Sequence, residues 1–292
     1  MSSASTRMDA ALQAAQDGAR TLIMGVLNVT PDSFSDGGQF LDADDALRQA
    51  EKMLADGADI LDVGGESTRP ATFATNAPLP VEEELRRVTP VIAAISRRFP
   101  EALISIDTYK AEVARSAADA GAVFINDISA LRADPGLPPL AAARGLPVCL
   151  MHMPGLPANI ARKPKYGDVV ADVCAHLAER VAAAERAGIA RSRIVVDPGF
   201  GFGKSVQQNL ALLRRLREIA ALGYPVLVGA SRKSTIGAVL GDVPPTDRKE
   251  GTAATVALAI ANGAAIVRVH DVREMALVAR MADAVVRGYV GG

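Results

Sequence analysis

Five polar side chains carry most of the chemistry in this 292-residue sequence: the acceptors Asp107, Asn126 and Asp197 and the cations Lys233 and Arg268. Each lies at or near the C-terminal end of a short apolar run. A carboxylate can accept two parallel hydrogen bonds from a guanidine-like edge, and such charge-assisted pairs are strong. Cations placed after late strands of a parallel α/β fold suit phosphate. A ligand with a donor-rich heterocycle and an anionic tail would use both sets.

The stretch Ile194-Val195-Val196-Asp197-Pro198-Gly199-Phe200-Gly201-Phe202-Gly203-Lys204 shows the pattern most clearly. Gly-Lys-Ser at 203–205 looks like the end of a Walker A loop. That motif needs four residues between its glycines, whereas three separate Gly199 from Gly203. The spacing is GxGxG, so the dinucleotide pattern fails as well. Each residue alone has an ordinary structural use: Asp107 or Asp197 can cap a helix, and Lys233 or Arg268 can serve in a surface or structural ion pair. His152 and His270 can be core histidines satisfied by backbone. Placement on one rim is what favours a site. No His, Cys, Asp and Glu residues show a tight zinc spacing.

The elements that must position these residues follow from the repetition of the pattern. Apolar runs at Thr21–Asn28, Ile60–Val63, Leu103–Asp107, Ala122–Asn126, Pro147–Met151, Ile194–Asp197, Tyr224–Val228 and Ala265–Val269 each end in a polar residue or a glycine turn. Helical periodicity fills the intervals at Ala43–Ala55, Val81–Phe99, Ala111–Ala120, Leu137–Arg144, Val169–Ala187, Gln207–Leu222 and Val272–Arg287. Strand–helix repetition of this kind predicts a single-domain (β/α)8 TIM barrel over residues 21–292, preceded by an N-terminal tail of residues 1–20. Two connections, Asn28–Leu41 and Glu66–Pro80, exceed the usual strand-to-helix length of about two to six residues, as binding loops often do.

Composition narrows the function classes. A formal net charge of -1 gives no electrostatic case for nucleic acid. Asn262, Gly263 and Arg268 interrupt the most apolar late stretch, so no membrane span is expected. Residues 1–20 lack the apolar core of a signal peptide. Two cysteines, Cys149 and Cys174, cannot build a disulfide framework. They suit a reducing cytoplasm. The segment Thr252–Ala261 is apolar nearly all round, and a helix of that kind is normally buried on every side. A homodimer using the helices near the last two strands is therefore expected.

Longer motifs carry a resemblance. Met24-Gly25-Val26-Leu27-Asn28-Val29-Thr30-Pro31-Asp32-Ser33-Phe34-Ser35-Asp36-Gly37-Gly38 and Asp62-Val63-Gly64-Gly65-Glu66-Ser67-Thr68-Arg69-Pro70 resemble the first two signatures of the dihydropteroate synthase family. Ser105-Ile106-Asp107-Thr108, Ile125-Asn126-Asp127-Ile128, Met151-His152-Met153, the Asp197 stretch, Ser231-Arg232-Lys233-Ser234 and Arg268-Val269-His270-Asp271 follow in the family's order. The family usually has Gly where this chain has Ala71, and often Gln where it has Pro154.

The resemblance implies condensation of 6-hydroxymethyl-7,8-dihydropterin diphosphate with p-aminobenzoate, by a dissociative, SN1-like path, in a sulfonamide target. It assigns catalysis to Asp107, Asp197, Lys233 and Arg268. Pterin would meet Asp107, Asn126, Met151, Asp197, Phe202, Gly229, Lys233 and Arg268, the last stacking on the ring. Pyrophosphate would meet Asn28, Thr68, Arg69, Arg268 and His270, with Mg2+ held near Asn28. Aminobenzoate would meet Phe34, Thr68, Arg69, Pro70, Phe202, Ser231 and Lys233. Binding is expected to be ordered, aminobenzoate after pterin and pyrophosphate. A corrinoid-dependent pterin methyltransferase could share the Asp and Asn contacts without needing Phe34 or Thr68-Arg69-Pro70. A non-catalytic pterin binder would have a damaged phosphate site, and a Schiff-base aldolase would use Lys233 as its amine.

Overall fold

The computed structural model describes residues 3–29, 43–67, 78–156 and 165–289. Eight parallel strands close into a barrel in sequence order: β1 Leu22–Asn28, β2 Ile60–Gly64, β3 Leu103–Asp107, β4 Phe124–Asp127, β5 Val148–Met151, β6 Ile194–Asp197, β7 Val226–Val228 and β8 Ala264–Val269. All eight coincide with the expected apolar runs. Closure comes from β1 against β8, with Met24 opposite Arg268. The seam between β6 and β7 is short, pairing Val196 with Val226.

The described helices around the barrel are α2 Ala43–Ala55, α3 Val81–Arg98, α4 Ala111–Ala120, α5 Leu137–Arg144, α6 Val169–Arg186, α7 Val206–Arg214, α8 Leu216–Ala220, α9 Ser234–Val239, α10 Lys249–Ala261 and α11 Val272–Arg287. Local chemistry fixes several ends. Asp168 caps α6 by accepting from the amides of Val170 and Ala171. Ser205 and Gln208 form a capping box on α7. The single helix expected over 207–222 is broken at Arg215, whose side chain joins Glu218 and Asp168.

The segment read as a tail contains α1, Ser3–Gln16. It buries Met8, Leu12 and Ala15, on one helical face, against the lower barrel interior at Leu22, Met24, Phe124 and Val195. A barrel open at its lower end would leave that apolar layer wet, and α1 covers it. No described helix is long and apolar enough to cross a membrane.

Candidate active site

Strand side chains alternate between faces, and this alternation builds the site in layers. The lowest inward layer is apolar: Met24, Ile60, Leu103, Phe124, Cys149, Val195, Leu227 and Ile266 pack with α1. The next inward positions, two residues further along, are Asp62, Ser105, Asn126, Met151, Asp197 and Arg268. Gly229 follows Leu227 just past the end of β7. Above them stand Asn28, Gly64, Asp107 and His270. The outward residues of the same strands, such as Leu61, Ile104, Val196 and Val267, bury against the helices.

The middle layer is a connected polar web. Asp62 is wholly buried. It accepts from Ser105 Oγ at 2.6 Å, Asn126 Nδ2 at 2.9 Å and Arg268 Nε at 2.6 Å. Arg268 Nη2 donates to Asp107 at 2.8 Å. The guanidinium is thus an ion-pair partner of two carboxylates through its N–H edge, which leaves its faces for a ring. Burial opposes the Arg268 charge, but Asp62 and Asp107 outweigh it and hold the pKa above its ordinary value. Burial raises Asp107 above the usual carboxylate range, against the pull of Arg268.

Across the pocket, Asp197 accepts from the Gly199 amide at 2.7 Å. Burial raises its pKa, opposed by that hydrogen bond and by Lys233. The Lys233 ammonium lies 4.0 Å from the centre of the Phe202 ring, a cation–π contact. Desolvation brings Lys233 down to about 8, against the attraction of Asp197. Phe202 packs with Met151, Met153, Ile128 and Tyr109 in a small apolar cluster beside these charges. The arrangement is a slot with an apolar wall, an acceptor edge and a cationic end.

The cationic end is stitched between two loops. Ser231 Oγ meets the His270 amide at 3.2 Å and its Nδ1 at 3.0 Å, and Arg232 forks onto Asp271. Burial lowers His270 to about 3, helped by Arg268 and Arg232. Those neighbours favour the uncharged imidazole over the imidazolium in the ligand-free chain. Asn28 ends β1, half-buried and paired in register with Gly64. Gly229 faces Arg268, leaving 3.8 Å between an ideal Cβ there and the Arg268 Cβ.

A profile of pterin binding enzymes matches residues 24–270. A dihydropteroate synthase of Escherichia coli (strain K12) is 50% identical over 262 residues, covering 90% of each chain. The chain belongs to the dihydropteroate synthase family. A Xanthomonas albilineans dihydropteroate synthase solved with 4-aminobenzoic acid superposes with a TM-score of 0.85 at 46% identity, over 92% of this chain and 94% of that one. One from the same organism in complex with 7,8-dihydropteroate gives 0.82 at 44%, with the same coverage.

Within this family's barrel the structure brings together Asp107, Asn126, Met151, Asp197, Phe202, Gly229, Ser231, Lys233, Arg268 and His270. Phe34, Thr68, Arg69 and Pro70 lie outside the described residues. Two groups were missed. Asp62 sits inside an apolar strand, and a carboxylate buried there requires partners; that was the available signal. Lys204 donates to the carbonyls of Gly199 at 2.8 Å, Phe202 at 3.1 Å and His152 at 3.4 Å, clamping the turn after β6. Glu66, Glu84 and Lys110 form a further web at the root of the second long connection, with Lys110 Nζ 2.9 Å from Glu66 and 2.5 Å from Glu84. A cleft of about 720 Å³ at the opposite barrel end, near Arg20, Asp283 and Arg287, uses none of the expected site residues.

Proposed function

We propose that this chain, as a dihydropteroate synthase, condenses 6-hydroxymethyl-7,8-dihydropterin diphosphate with p-aminobenzoate to give 7,8-dihydropteroate and pyrophosphate, a step of folate synthesis. The observation that carries this reading is the acceptor edge of Asp107, Asn126 and Asp197 beside the cations Lys233 and Arg268. A pterin presents its amino and ring N–H groups to such an edge. Phe202, Met151 and Gly229 would flank its plane. Similarity to relatives solved with 4-aminobenzoic acid and 7,8-dihydropteroate supports the second substrate and the product.

In the reaction the methylene carbon–oxygen bond breaks and the diphosphate leaves with the electron pair. The methylene cation that remains is conjugated with the electron-rich pterin. The aminobenzoate nitrogen then donates its lone pair to that carbon and loses a proton. The residues of this chain hold the ring through Asp107, Asn126 and Asp197. They also favour departure of negative charge through Arg268, Lys233 and Arg69. Phe34, Thr68, Pro70, Phe202 and Ser231 would hold the aminobenzoate, and sulfonamides would compete for that place.

Mg2+ keeps several waters and is commonly held by one or two protein oxygens together with substrate phosphates. Asn28 offers one amide oxygen at the end of β1. Among the described residues no three His, Cys, Asp or Glu gather into a self-sufficient metal site. Asn28 would hold the ion beside the diphosphate. Bound there, it would offset the charge of the leaving group.

Lys233 supplies the test by pH. With its folded pKa lowered to about 8, the ammonium is present at pH 7 and lost as pH rises through about 8. kcat/KM for the pterin diphosphate, which reports groups of the free enzyme, should therefore fall across that interval. A profile flat to pH 9.5 would remove Lys233 from the charged contacts.

The association state is a homodimer in this reading. On α11, Leu277, Met281 and Val285 recur every four residues and are 58%, 65% and 72% exposed. Leu258 of the neighbouring α10 is exposed as well. A monomer rarely leaves such a stripe to water. The segment 252–261, by contrast, buries Thr252, Val256, Ala259 and Ile260, so the surface is centred on α11. Light scattering should give twice the chain mass, and Met281→Glu should shift it toward the monomer; a wild-type monomer at micromolar concentration contradicts the reading. The free thiols of Cys149 and Cys174 support a reducing, cytoplasmic setting.

A further inference from the structure

We infer that Asp62 is a positioning residue that sets which way the Asn126 amide faces, and thereby makes the pterin edge of the pocket an all-acceptor edge. The inference rests on the pterin reading and deepens it. Asn126 carries a donor and an acceptor on the same planar group, and nothing in its own composition decides which one meets the ligand. Asp62 decides. Its carboxylate is wholly buried and held by the Arg268 guanidinium at 2.6 Å, so it accepts and does not donate. The Asn126 amide atom 2.9 Å from Asp62 Oδ2 is therefore the nitrogen, and the oxygen is left as the free end of the group.

The rest of the web removes the alternative. Asp62 Oδ1 is taken by Ser105 Oγ at 2.6 Å. Asp107, the neighbour of Asn126 in register across the β3–β4 pair, is taken by Arg268 Nη2 at 2.8 Å. Turning the amide over would set a carbonyl oxygen against a carboxylate at a buried contact, so the flip is strongly opposed. With the oxygen outward, Asp107, Asn126 and Asp197 all present acceptors, and a heterocycle must offer N–H donors to each. Asp62 would touch no ligand atom; it acts through Asn126 and Arg268.

The test compares ligands by calorimetry. Wild-type protein and Asp62→Asn are titrated with 6-hydroxymethyl-7,8-dihydropterin and with two probes that turn a donor into an acceptor. One is the oxidised pterin, which has lost the N8–H. The other is the corresponding lumazine, whose 2-oxo group replaces the amino group. Asp62→Asn frees the Asn126 amide to turn, so at least one of the two selectivity ratios should fall about tenfold or more. Both affinities falling in parallel, with unchanged ratios, would mean a merely structural role and overturn the inference. Failure of wild-type protein to bind any pterin would instead sink the pterin reading itself. If the variant does not fold, a neutron structure of the wild-type pterin complex decides. Deuterium on the Asn126 atom facing Asp62 upholds the inference, and deuterium on the atom facing the ligand overturns it.

Discussion

Asp197→Ala should weaken pterin binding by roughly a hundredfold or more while leaving the barrel folded. Asp197 ends β6 on its inward face and is buried. One of its oxygens takes the Gly199 amide, which leaves the carboxylate's remaining lone pairs for a ligand. Truncation removes a charge-assisted acceptor pair, worth about twice a neutral hydrogen bond. It also leaves the pterin N–H groups and the Gly199 amide unpaired in a dry slot, at about 1–3 kcal/mol for each buried group. At about 1.4 kcal/mol per factor of ten, two such losses reach the stated magnitude. The carboxylate further offsets the charges of Lys233 and Lys204. Its loss removes that counter-charge from both ammonium groups. Calorimetry with 6-hydroxymethylpterin gives the answer, and unchanged affinity in a folded variant rules out the role assigned to Asp197.

Gly199→Ala should be nearly as damaging, through backbone alone. Gly199 has φ +66°, and a Cβ built there lies 1.9 Å from the His152 carbonyl oxygen and 3.2 Å from Lys204 Nζ. The left-handed conformation costs an alanine about 1–2 kcal/mol. The overlap with backbone that cannot swing aside adds about 1–3 kcal/mol. The turn can relieve the overlap only by moving away from His152, which breaks the Lys204 clamp and carries off the amide that orients Asp197. A lower melting temperature by about 5 °C or more, together with lost pterin affinity, is the expected pair of results. A variant matching wild type in both would show that the turn accommodates a side chain.

Much of this was legible in the sequence because barrel strands advertise themselves twice. The β-branched runs ending at Asn28, Asp107, Asn126 and Asp197 marked the strands, and their last residues marked the rim. The inward face shared by Arg268 and Asp107 came only with the strand register. Asp62 was harder to see. Its role depends on the register that sets Asp62 beside Ser105 and on closure of β8 against β1, which are long-range facts. The lowered pKa of His270 likewise follows from burial next to Arg268 and Arg232, which spacing does not reveal. α1 escaped because its apolar positions are few and only the open barrel end makes them core. On α10 packing buries Thr252, Val256, Ala259 and Ile260, and most of the exposed apolar residues that support a dimer lie on the neighbouring α11.

The central claim is that the acceptor edge and the cationic end act together on one substrate. The most direct measurement incubates the protein with 6-hydroxymethyl-7,8-dihydropterin diphosphate, p-aminobenzoate and Mg2+, and quantifies dihydropteroate and pyrophosphate in the same sample. The account predicts that both appear in equal amounts, and that Asp197→Ala abolishes both. Pyrophosphate released without dihydropteroate, or neither product from folded protein, would contradict it.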